Sequence, residues 1–87
     1  MPQPRYLLAD AVLPAILILP DREWRHLLAA FDQIAANPRD SSTCIDRDWD
    51  GRLVSVVSFG RFEIGYLISP ETGAVTITLV RPRRPSL

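Results

Sequence analysis

The chain has 87 residues, 47% of them hydrophobic, with ten basic and ten acidic side chains and a formal net charge of zero. That length predicts one small domain over residues 1–87 whose core is limited enough for every large apolar side chain to count. The balanced charge argues against generic nucleic-acid binding, which leans on a basic excess. The single Cys44 excludes an internal disulfide and a cysteine-built metal site, and fits a cytoplasmic protein.

Taken in chain order, Tyr6 to Leu19 (YLLADAVLPAILIL) is largely apolar behind Arg5. It is too short to span a bilayer, and Asp10 and Pro14 interrupt it where a signal peptide would run on; no membrane segment is expected. Arg5–Ala9 reads as a short strand. Asp10 reads as the cap of a short helix from about Ala11 to Leu19, with Val12, Leu13, Ile16 and Leu17 apolar. Pro14 is tolerated there only near the helix start, and Ala15–Leu19 reads equally well as a strand. Leu19-Pro20-Asp21 breaks the chain, with Asp21 the expected N-cap of a longer helix. In that helix Trp24, Leu27, Leu28, Phe31, Ile34 and Ala35 form one apolar stripe, and Asn37-Pro38 ends it. His26 lies off the stripe and is expected in solvent. Arg39 to Asp50 reads as a polar connector. Its Asp46, Asp48 and Asp50 resemble the opening of a calcium loop, but the glutamate that such a loop requires does not occur before Glu63. Neither a metal nor a cofactor is expected.

From Gly51 onward the pattern becomes a three-stranded antiparallel meander. In Leu53–Phe59, Leu53, Val57 and Phe59 face opposite to Val54, Val56 and Ser58. In Phe62–Ile68, Phe62, Ile64, Tyr66 and Ile68 share a face, with the Tyr66 hydroxyl expected at the rim of the core. In Ala74–Val80, Val75, Ile77 and Leu79 alternate with Thr76 and Thr78. Gly60-Arg61 is a two-residue hairpin turn, and Ser69-Pro70-Glu71-Thr72-Gly73 is a longer one. The expected fold is α+β: an N-terminal strand and the meander forming a small antiparallel sheet, with a helical hairpin on one face.

The candidate functional residues follow from this layout. All ten basic residues are arginine, so the side chain most readily tuned to act as a base, lysine, is absent. Arg52, Arg81, Arg83 and Arg84 read either as an anion- or target-binding patch or, at the C-terminal end, as a solvated tail flanked by Pro82 and Pro85. Glu63 reads either as a general base with Arg61 or Arg52 nearby, or as a cross-strand ion-pair partner; Arg61 and Arg83 are the other catalytic candidates. Trp24 and Trp49 are candidates for partner contact, with packing as the alternative.

The segments LPDREWRHLLAAFDQIAANPR, DGRLVSVVSFGRFEIGYLI and GAVTITLVRPRR resemble the RelE/ParE superfamily of small toxins from bacterial type II toxin–antitoxin (plasmid stabilisation) modules. The similarity runs from Tyr6 to Arg84 and rests on the order of elements more than on any one residue. It implies a cognate antitoxin as partner, and one of two targets. RelE-like members cleave messenger RNA on the ribosome, using basic residues on the sheet; ParE-like members poison DNA gyrase. Where nucleases of the superfamily carry a cation after the aromatic of the second meander strand, this chain has Glu63. Their strand lysines correspond to Val54, Val56 or Ser58, and only Arg83 or Arg84 matches the basic position after the last strand. RNA cleavage needs a proton acceptor, a proton donor and cations for the phosphorane-like charge. The resemblance therefore implies a ParE-like toxin, with a ribosome-dependent endoribonuclease built from Arg52, Arg61, Glu63, Arg83 and Arg84 as one alternative. A non-toxic protein-binding module is the other. An open sheet edge leaves a homodimer as a further expectation.

Overall fold

The computed structural model describes residues 6–38, 44–47 and 50–83. Their order is β1 (Tyr6–Leu8), α1 (Val12–Leu17), α2 (Asp21–Ala36), β2 (Cys44–Arg47), β3 (Leu53–Phe59), β4 (Phe62–Ile68) and β5 (Val75–Pro82). The strands form one mixed sheet in the order β1-β5-β4-β3-β2, and both helices contribute to a single apolar cluster against it. This is the α+β architecture that the alternation and the helical stripe predict.

The sheet departs from the expectation in two ways. The N-terminal strand pairs parallel to β5, with Tyr6 opposite Val75 and Leu8 opposite Ile77, whereas the remaining strand pairs are antiparallel. A parallel neighbour needs a long crossover, and the two helices with the other strands supply it. The expected connector also holds a strand. Cys44–Arg47 pairs with Leu53–Val56, although its CIDR sequence has little β-propensity. Backbone pairing to β3 imposes that strand, as is usual where context outweighs propensity.

α1 is shorter than the sequence suggests, and both helices are differently capped. α1 begins at Val12 behind Ala11, with no side-chain cap from Asp10. Residues 15–17 are helical, and Pro14 sits in the first turn, where a missing N–H costs little. Asp21 is the first residue of α2; the N-cap is Pro20, held extended at ψ 154°, with no side-chain cap. Asp21 and Glu23 instead place carboxylates in the first turn, where the helix dipole favours them. Of the apolar stripe, Leu27, Phe31 and Ile34 are buried, each contributing roughly 1.5–3 kcal/mol, and Ala30, outside the predicted stripe, is buried with them. Trp24 and Leu28 pack partly buried at the margin, and the Tyr6 ring meets Phe31 edge-on at 5.5 Å.

In β5 the alternation breaks. Gly65 pairs with Leu79 but Tyr66 pairs with Ile77, so Thr78 is an extra residue. Such a bulge reverses the faces beyond it. Val80 thereby joins Val75 and Ile77 in the helix-side cluster. Leu79, expected on that face, packs on the other side against Gly65 and Val54.

Candidate functional site

Two groups of charged side chains are held in defined contacts among the described residues. On the face away from the helices, Glu63 and Arg81 stand directly opposite each other on β4 and β5. The Arg81 Nε donates to Glu63 Oε1 at 2.8 Å, and an Arg81 terminal nitrogen donates to Asp46 Oδ2 at 2.6 Å. Asp46 lies on β2, three strand spacings away, which on a flat sheet is about 14 Å. An arginine cannot reach so far, so the sheet curls on this side and brings its outer strand toward β5. Val54, Val56 and Leu79 are also buried, outside the helix-side cluster. The hydrogen bonds that Arg81 donates to Asp46 and Glu63 hold its guanidinium above the usual pKa. With side-chain exposures of 21% for Arg81 and 18% for Glu63, the pair is largely shielded and internally neutralised.

The second group lies where the first turns of α2 meet the β3–β4 hairpin. Gly60 takes the positive φ of 56° that the tight turn needs. A Cβ at Gly60 would lie 3.7 Å from the His26 imidazole, so the hairpin tip rests beside that side chain. Arg22, Glu23, His26, Gly60, Arg61 and Phe62 line a cleft of about 270 Å³. Within it a terminal nitrogen of Arg61 contacts Glu23 Oε1 at 2.7 Å, and the guanidinium lies 5.5 Å from the Phe62 ring centroid. The other carboxylate oxygen, Glu23 Oε2, is buried without a hydrogen-bond partner among the described residues. Arg61 itself is 72% exposed, so its ion pair is worth no more than about 1 kcal/mol.

The predicted site residues do not converge. Arg61 belongs to the hairpin cleft, and Glu63 to the ion pair on the other face. Arg52 is exposed and pairs with Asp50 at 3.6 Å. Arg83 is exposed, with its backbone N–H bonded to the Arg61 carbonyl at 2.6 Å. Arg84, Trp49 and Asp48 lie outside the described residues. Among the described residues, no group of three or more His, Cys, Asp or Glu side chains could hold a metal ion. No helix among them is long and apolar enough to cross a membrane. Tyr66 is buried with its hydroxyl donating to the Pro38 carbonyl, and burial pushes its phenol pKa up. Sequence reasoning missed the cleft. Glu23 and His26 sit one turn apart and off the apolar stripe, which marks a polar helix face, but nothing local says that a hairpin will meet that face.

No protein-family model, curated protein or solved structure matches the chain. The reading of function therefore rests on the residues themselves and on the resemblance of their order.

Proposed function

We propose that this chain is a toxin-like component of a bacterial type II toxin–antitoxin module, cytoplasmic and of the ParE type. In this reading it acts by binding a protein target, DNA gyrase in the resembling members, and a cognate antitoxin neutralises it. The observation that carries the reading is the engagement of Arg81 by Glu63 and Asp46. A ribonuclease built on Glu63 would need that carboxylate open to a proton, with Arg52, Arg61 or Arg83 beside it, and Glu63 is engaged by Arg81 instead. Large aliphatic side chains left in solvent on α1, Leu17 at 73% and the adjoining Ile18 at 82% exposure, suit a protein partner better than a nucleic acid.

Induced expression in a bacterial host, followed by growth, pulse-labelled protein synthesis and a DNA-damage reporter, tests the reading. Growth arrest with a damage response and continuing translation is the expected result. Arrest with immediate loss of translation and cleaved messenger RNA would replace it with the endoribonuclease. Folded protein without arrest would leave a non-toxic binding module.

A further inference from the structure

We infer that the cleft between the start of α2 and the β3–β4 hairpin receives an acidic side chain of a protein partner, seated beside an apolar neighbour. The inference names the chemistry of the partner and rests on the partner-binding reading above. The lining carries two guanidinium groups, Arg22 and Arg61, and one imidazole, against a single carboxylate, Glu23. That carboxylate already serves Arg61: the 2.7 Å contact to Oε1 holds one edge of the guanidinium, and stacking over Phe62 fixes its plane. An arginine has five N–H donors in a fixed fork, so the edge turned away from Glu23 is presented for a second carboxylate, the geometry in which guanidinium recognition is strongest. Phe62 supplies the apolar floor.

Size decides between a side chain and a free ligand. At about 270 Å³ the cleft falls just below the roughly 300–1,000 Å³ of sites that enclose a whole small molecule. One or two side chains fill it. The buried Glu23 Oε2 without a partner completes the argument, because a buried unsatisfied acceptor costs about 1–3 kcal/mol and marks a place where an added donor is favourable. The backbone N–H of an incoming peptide is such a donor, while Arg61 keeps its contact with Glu23 Oε1 and offers its other edge to the acidic group.

The test is a titration of the ¹⁵N-labelled full chain with acetyl-Leu-Glu-Leu-amide, with acetyl-Leu-Gln-Leu-amide and inorganic phosphate as comparison probes. The expected result is amide shifts confined to Arg22, His26, Gly60, Arg61 and Phe62, with the glutamine peptide about tenfold weaker, as loss of a charge-assisted hydrogen bond implies. Arg61→Ala should weaken the acidic peptide by a similar factor. Arg22→Ser, which leaves the Glu23–Arg61 pair in place, should weaken it less and shows that loss of binding is not loss of fold. Equal response to the two peptides, shifts elsewhere, or a stronger response to phosphate than to peptide would overturn the proposal. Growth arrest is read separately, so failure of the cleft and failure of the toxin reading are distinguishable.

Discussion

At the scale of single residues, Tyr66 shows how burial turns into pH dependence. Its ring is enclosed and its hydroxyl donates to the Pro38 carbonyl at the end of α2. Burial raises its pKa above the usual 10.0, so the folded state keeps a proton that the unfolded chain gives up. The associated stability is complete below pH 10 and is lost as pH climbs through the raised value. Tyr6 is shifted the same way, first by burial and then by Asp32. Urea unfolding measured across pH 8 to 12 should show stability falling on the alkaline side. Tyr66→Phe should flatten that fall while lowering neutral-pH stability by about 1 kcal/mol, the worth of one hydrogen bond. A Tyr66→Phe protein with the wild-type alkaline slope would refute the assignment.

Arg81 is the complementary case. Arg81→Met leaves Glu63 shielded from water without its cation, and should cost about 1–3 kcal/mol, less than a fully buried pair because all three partners retain some contact with solvent. The Asp46 limb, with that carboxylate 43% exposed, contributes the smaller share. Arg81→Met combined with Glu63→Leu should recover most of the loss, since removing both members also removes the uncompensated charge. Chemical denaturation of the two variants decides it, and equal instability of the single and the double variant would count against the ion pair as the cause.

At the scale of elements, the strands of the meander and the apolar stripe of α2 were legible because their signals are periodic and local. β3 and β4 have the bounds that the alternation predicts. The features that were not legible depend on partners far along the chain. β2 exists because β3 offers it a free edge, and β1 runs parallel to β5 because the chain, carried by the helices to the far edge, comes back through β2, β3 and β4 in alternating directions. The bulge at Thr78 was half visible. A glycine inside a strand marks a bulge or a close approach, and Gly65 marks both. A Cβ there would lie 2.9 Å from the Leu79 Cβ and 3.1 Å from the Val54 Cγ2. Gly65→Ala should therefore destabilise the protein by about 1–3 kcal/mol, as overpacking does. Leu79→Ala should not rescue it, because the clash is with a Cβ that alanine keeps. Thermal melts of the single and double variants would show this, and a fully restored melting temperature in the double variant would contradict it. The cleft was illegible for the same reason as β2: Arg61 was readable as a candidate, but its meeting with Glu23 and His26 is a tertiary fact.

At the scale of the molecule, the question is what the surface leaves uncovered. Leu13, Leu17 and Ile18 project from α1 and its C-cap with exposures of 39%, 73% and 82%. Val12 and Ile16 of the same short helix are fully buried, so α1 is anchored by one side and apolar on the other. The described strands add two sheet edges, β1 and β2, and Ile45 on β2 and Leu53 on β3 are exposed. Edge strands and contiguous apolar surface both favour association, and zero net charge provides no repulsion to oppose it. The isolated protein should self-associate as its concentration rises, and a partner covering α1 should suppress this. Leu17→Lys with Ile18→Lys tests the source of the association. Neither side chain belongs to the core, so the fold should survive, while two added cations on the patch should shift sedimentation velocity profiles toward monomer. If the double variant associates as strongly as the parent, pairing of the sheet edges drives it; a parent that stays monomeric at high concentration would remove the premise.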